Sequence, residues 1–138
     1  MKIENIVSSV GRRKTAIARV WLKPGTGVVT VNNLPLKHYF SSNTKGNVET
    51  MQSGKVLEPF IVTGKMQLFD VKSTVKGGGL MGQAEALRHA IAKAIDSFDK
   101  DCHSVLRSAG LLTRDSRIVE RKKYGLHKAR KSTQFSKR

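Results

Sequence analysis

From Glu120 the chain reads ERKKYGLHKARKSTQFSKR, and beyond Glu120 it carries eight lysines and arginines and not one carboxylate. Tyr124, Leu126 and Phe135 are the only large apolar groups left to bury. Ordering a residue costs about 1–2 kcal/mol of backbone entropy, and this stretch has too little apolar surface to offset that. Whatever folds must lie upstream, where periodic apolar patterning fades after Leu111-Leu112. The division expected is a globular domain over residues 1–113 and an extended basic tail over residues 114–138.

Charge sharpens that division. The whole chain has 26 Lys+Arg against 10 Asp+Glu, a formal net charge of +16. Residues 1–113 carry 16 basic and 8 acidic groups, and residues 114–138 carry 10 and 2, so each part has a net charge of +8. Half of the excess is therefore packed into a short tail. Like charge at that density repels itself and calls for a polyanion. A membrane surface is the weaker candidate, since no apolar run approaches the ~20 residues of a span and the tail lacks an apolar face to insert. Nucleic acid is the stronger one. MKIENIVSSV lacks the apolar core of a secretory signal, and the single cysteine, Cys102, excludes an internal disulfide and fits a reducing compartment.

The upstream part alternates between strand and helix periods. Thr15–Lys23 places Ala16, Ala18, Val20 and Leu22 on one face and Arg19 and Lys23 on the other, a half-buried strand. Pro24-Gly25-Thr26-Gly27 is a turn, and Val28–Asn32 is expected to return as its hairpin partner. Ile6–Val10 is expected as an edge strand. Helical pieces are expected at Leu36–Phe40 and Gly54–Val62, kept short by Pro59 and nearby glycines. Gln67–Val75 is a further strand with Phe69, Val71 and Val75 inward. The clearest helix runs from Gly82 to Phe98, with Ala84, Leu87, Ala90, Ile91, Ala94, Ile95 and Phe98 as one apolar stripe. A second, from Lys100 to Ala109, ends at Gly110.

Gly77-Gly78-Gly79-Leu80-Met81-Gly82 matches the dinucleotide pattern G-x-G-x-x-G between a strand and a helix. The acid that should follow, Asp99 or Asp101, sits after a helix and not on a second parallel strand, and too little chain remains for one. A tight strand-to-helix junction fits better, with a helix N-terminus open to an RNA phosphate as a middle course. Cys102 and His103 are adjacent and diverge on a helix, and His38, His89 and His127 share no ligand spacing with them. Neither a catalytic site, a metal nor a cofactor is expected.

Two basic clusters remain. Arg12, Arg13 and Lys14 stand at a strand entrance. The tail supplies Arg121, Lys122, Lys123, Lys128, Arg130, Lys131, Lys137 and Arg138, interleaved with Gly, Ser, Thr and Gln. Tyr124, His127 and Phe135 can stack on unpaired bases. These features describe an RNA-binding tail on a small α/β domain.

Three stretches, GRRKTAIARVWLKPGTG, VKGGGLMGQAEALRHAIAKAI and LLTRDSRIVERKKYGLHKARKSTQFSKR, resemble in order the family of the ninth protein of the small ribosomal subunit. The type is the bacterial one, which plastids and mitochondria share. The resemblance implies a two-layer α/β fold, with helices packed on a four-stranded mixed sheet and a left-handed crossover. It implies a structural place in the head of the small subunit, on a cytoplasmic or organellar ribosome, beside neighbouring head proteins. It implies ribosomal RNA contacts at Arg12, Arg13, Lys14, Arg121, Lys122, Lys123, Lys128, Arg130 and Lys131. Lys137 and Arg138 would face transfer RNA in the peptidyl site. The alternative is a free-standing RNA-binding module or RNA chaperone.

Overall fold

The computed structural model describes residues 5–42 and 48–136. Strand β1 spans Val7–Arg13 and β2 spans Ala16–Pro24, joined by the two-residue turn Lys14-Thr15. The edge strand is thus longer than the Ile6–Val10 expected, and it carries Arg12 and Arg13 inside the sheet. Beyond it come β3 (Val29–Val31), β4 (Leu34–Pro35), α1 (Leu36–Ser42), α2 (Val48–Thr63), β5 (Phe69–Lys76), α3 (Leu80–Phe98) and α4 (His103–Ser108), with a 3-10 turn at Lys100–Cys102.

The sheet order is β1-β2-β5-β3-β4. All neighbours are antiparallel except β3 and β5, which run parallel. Two corrections follow. The sheet has five strands and not four, because Asn32 and Asn33 both adopt positive φ (49° and 66°) and fold a two-residue strand, Leu34–Pro35, back onto β3. Val28–Asn32 does not pair with β2 as a hairpin, because β5 lies between them. The cause is a non-local acceptor. Oδ1 of Asp70, at the start of β5, receives the backbone N–H groups of Thr26 (2.9 Å), Gly27 (3.0 Å) and Val28 (3.0 Å). The loop is held across the end of β5 and delivers β3 to its far side.

Strand alternation then decides the layers. Ala16, Ala18, Val20 and Leu22 of β2 and Phe69, Val71, Ser73 and Val75 of β5 are buried, while their alternates face outward. The helices cover that one apolar face. In α3 the buried set is wider than one stripe, since Ala86 and Ala92 join the expected residues. One side of α3 packs on the sheet and another on α2, and alanine lets both approach closely. Phe98 departs from the stripe: it is partly exposed and meets Phe69 edge-on at 4.8 Å.

Helix α2 also corrects the expectation of a short piece, running 16 residues through Pro59. Proline forfeits one helical hydrogen bond. Here Val56, Pro59 and Phe60 are all buried, so packing holds the helix where local preference would break it.

Strand β1 and helix α3 meet backbone against backbone. A Cβ placed on Gly11 would lie 2.1 Å from the Ala86 carbonyl oxygen and 2.6 Å from the Ala90 nitrogen. Two residues before it, the Ser9 hydroxyl donates to the Ala90 carbonyl at 2.5 Å. We predict that Gly11→Ala, which must push backbone from backbone, lowers the unfolding free energy by about 3 kcal/mol. Urea denaturation of the two proteins measures this, and an unchanged midpoint would contradict it.

Candidate nucleic-acid interface

The period of two in β1 splits the first basic cluster three ways. Arg12 lies opposite Ile17 on the open face of the sheet and is exposed. Arg13 lies opposite the buried Ala16, on the helix side. Lys14 occupies the turn with φ 51° and is exposed. Arg13 is therefore internally engaged. Its Nε donates to Glu85 Oε2 at 2.6 Å, its Nη2 lies 3.4 Å from Asp115 Oδ2, and its Nη1 donates to the Arg117 carbonyl at 2.5 Å. Only 12% of its side chain is exposed. Lys55 approaches the other oxygen of Glu85 at 3.4 Å. Burial pushes the Glu85 carboxyl up, but hydrogen bonds from Arg13 and Lys55 outweigh that and hold it below its ordinary value.

Those contacts fix the root of the tail. Helix α4 ends in a paired cap: the Gly110 N–H (φ 73°) donates to the Arg107 carbonyl at 3.0 Å and the Leu111 N–H to the Leu106 carbonyl at 3.1 Å. Leu111 is buried in the core beside Leu106. The next carbonyl, of Leu112, lies 3.2 Å from His89 Nε2. A carbonyl only accepts, so neutral His89 carries its proton on Nε2. Burial, with Lys93, Arg114 and Arg88 nearby, lowers its affinity for a second proton. Asp115 then clasps Arg117 twice, accepting from the side chain at 2.7 and 3.0 Å and from the backbone N–H at 3.1 Å. The Arg117 side chain first, and its backbone N–H second, hold the Asp115 carboxyl well below the usual carboxylate range.

Farther along, residues 118–136 form neither helix nor strand. The tail cations are not all unopposed, however. Glu120 pairs with Lys123 and, at 3.1 Å, with Arg130, and the His127 N–H donates to the Lys131 carbonyl at 2.7 Å. Arg121, Lys122, Lys128 and Lys131 are exposed, and Tyr124 and Phe135 are 97% and 88% exposed. Lys137 and Arg138 lie outside the described residues.

The structure thus sets the first basic cluster against the root of the tail. Arg12 and Arg117 line one cleft with Arg88, and Lys14 lies beside Arg117, Ile118 and Val119 at the hairpin tip. Sequence reading missed Glu85, Asp115 and Arg117 as the residues that tie the hairpin to the tail root. The alternation of β1 was the available signal, since adjacent strand residues cannot share a face.

The other motifs take structural roles. Gly77 and Gly78 both have positive φ (73° and 67°), and the β1–β2 turn fills the space beside them: a Cβ on Gly77 would lie 2.6 Å from the Thr15 carbonyl oxygen. The glycines form a close junction with backbone where a dinucleotide would need room. Cys102 is buried, which raises its thiol's pKa, while His103 is exposed and bonds Asp96 at 2.7 Å. Among the described residues no group of three metal-ligating side chains assembles, and no helix is long and apolar enough to cross a membrane.

Comparison with known proteins agrees over nearly the whole length. Residues 11–138 match the family model described as ribosomal protein S9/S16. The chain is 55% identical over 130 residues to the small ribosomal subunit protein uS9 of Rickettsia bellii (strain OSU 85-389), covering 94% of this chain and 75% of that one. It is 51% identical over 139 residues to the protein of the same name from Rickettsia peacockii (strain Rustic), covering 99% and 83%.

The anchoring of the tail root makes Arg13 testable apart from any ligand. We predict that Arg13→Ala costs about 1–3 kcal/mol of stability and speeds tryptic cleavage at Arg114 and Arg117. Arg13→Lys, which keeps the charge but not the planar fork, should fall between. Cleavage of Arg13→Ala at the unmodified rate would contradict the anchoring.

Proposed function

Since the chain belongs to the ribosomal protein S9/S16 family and is a structural protein of the small ribosomal subunit, we propose that it holds ribosomal RNA in the subunit head and that its tail reaches peptidyl-site transfer RNA. The anchoring of the tail root beside the hairpin cations carries this reading. Arg12 and Lys14 at the hairpin lie beside the tail root, and Arg121, Lys122, Lys128 and Lys131 farther along the tail are exposed. Lys123 and Arg130 join them by exchanging Glu120 for phosphate. Arg13 contributes by fixing the tail root, an anchoring part and not a contact. Tyr124, His127 and Phe135 supply stacking surfaces for unpaired bases. The tail takes its final shape on RNA, and the globular domain stands without it.

The family also favours this reading over a free-standing RNA module or chaperone. A ribosomal protein is stoichiometric with the small subunit and scarce outside it, so its distribution across a sucrose gradient separates the two. Neighbouring head proteins are then further partners, and the ribosome is the place of action.

Binding by phosphate neutralisation releases counterions, so log affinity falls linearly with log salt, by roughly 0.7–0.9 per contact. With six exposed cations on the path, a slope of at least about four is expected for a ribosomal RNA fragment of the head. Lys122→Ala should reduce the slope by about one contact, and Lys123→Ala by less, because Glu120 already engages Lys123. A slope near zero would point to an apolar or protein partner.

Lys137 and Arg138 serve the transfer-RNA end of the path. Arg138 is the stronger of the two, since its guanidinium can hold a phosphate with two hydrogen bonds. A chain cut after Ser136 is expected to enter small subunits at normal stoichiometry. Those subunits should bind peptidyl-site transfer RNA more weakly, by about 1–3 kcal/mol. Unchanged affinity, or failure to assemble, would each refute this division.

A further inference from the structure

Among the described residues the helices lie on one side of the sheet, and the other side is uncovered. Cross-strand pairing shows what it displays. Opposite residues share a face, so Ser8, Trp21, Lys72 and Thr30 form one row across β1, β2, β5 and β3. Arg19 and Lys23 stand two residues to either side of Trp21 on β2. Arg12 and Lys76 complete the face toward the β1–β2 turn. Against these five cations the described residues place one carboxylate on the strands of this face, Asp70, and its Oδ1 already accepts three backbone N–H groups. Trp21 is partly exposed and, with Ile6, Val28, Lys23, Lys72 and Asp70, lines an open groove of about 540 Å³.

We infer that this groove takes an unpaired RNA nucleotide, its base stacked on Trp21 and its flanking phosphates on Lys72 and Lys23 or Arg19. The inference rests on the RNA-binding reading above and adds a base-reading site on the domain to the phosphate contacts of the tail. Charge complementarity selects the occupant. A cationic face with an aromatic ring between Lys23 and Lys72 suits a polyanion that also offers flat apolar surfaces, which single-stranded RNA does. Paired RNA presents phosphates but keeps its base faces stacked inside the helix. A protein segment would need a matching run of carboxylates.

Trp21 is the only tryptophan in the chain, so its emission reports the site directly. The test uses the full chain with three probes at low salt: an unpaired oligoadenylate, an RNA duplex of equal length, and heparin, a polyanion without bases. All three should bind, and the oligoadenylate alone should quench Trp21 strongly. Stacking on an aromatic ring is worth enough that Trp21→Leu should weaken oligoadenylate binding about tenfold in a filter assay while leaving heparin unaffected. Lys72→Ala, which keeps the reporter, should require several-fold more oligoadenylate for half-maximal quenching. Binding of all three probes without selective quenching would overturn the site while leaving the tail reading intact. Failure of all three to bind would sink the RNA reading itself. Shielding of Trp21 from acrylamide only after small-subunit proteins are added would assign the groove to a protein and overturn the inference.

Discussion

The rest of the molecule depends on how closely β1 sits on α3. Glycine at position 11 lets the strand backbone touch the helix backbone at Ala86 and Ala90, and the alanines of the helix make room from their side. That contact sets the height of the sheet edge over the helix and brings Arg13 within reach of Glu85. It also fixes the strand's rotation. Once Gly11 and Arg13 face the helix, Arg12 must face the open side, because successive side chains alternate. One steric fit therefore distributes three adjacent cations among an internal anchor, a sheet face and a turn.

Charge is sorted by the same logic. Most of the described carboxylates are engaged inside the protein: Asp70 by the loop before β3, Glu85 by Arg13 and Lys55, and Asp99 by Lys65. Asp96 is held by His103, Asp115 by Arg117, and Glu58 by Arg88. Several of these pairs are exposed and contribute little to stability. Their effect on the field is larger. With most acids occupied, the surplus of lysine and arginine is displayed on the open sheet face and on the tail, where Arg117, Lys123 and Arg130 are the cations with carboxylate partners among the described residues. A net charge of +16 then becomes directional, which steers a polyanion to particular surfaces.

Much of this was legible in the sequence, and the exceptions share a cause. Helix α3, the inward faces of β2 and β5 and the glycine junction follow from periods and turn residues that act locally. The β3 partner was not legible, because the acceptor that redirects the loop, Asp70, lies more than forty residues away. Local reading defaults to a hairpin in such a case. The length of α2 was hidden for a similar reason. Its buried face packs on α3 and tolerates Pro59, while its own sequence has weak amphipathic order. In the candidate site, the exposed cations of the tail were evident from composition alone. The inward turn of Arg13 could have been drawn from alternation, but its partners Glu85 and Asp115 come from distant parts of the chain.

Anchoring only the root of a charged tail has a mechanical consequence. Leu111 in the core, the Leu112 carbonyl on His89 and the Arg13–Asp115–Arg117 contacts fix where the tail leaves the domain and its first heading. Beyond Arg117 almost every large side chain is exposed, so the remainder can follow the surface of its partner. A free tail attached by a loose hinge would search a wide volume and lose more entropy on binding. A tail held rigid throughout would need its partner's shape built in beforehand. Fixing the origin of such a tail while leaving its path adaptable would keep the local concentration of cations high near a docking surface. The internal pairs of Glu120 fit this arrangement. They restrain Lys123 and Arg130 with exposed contacts that are individually weak.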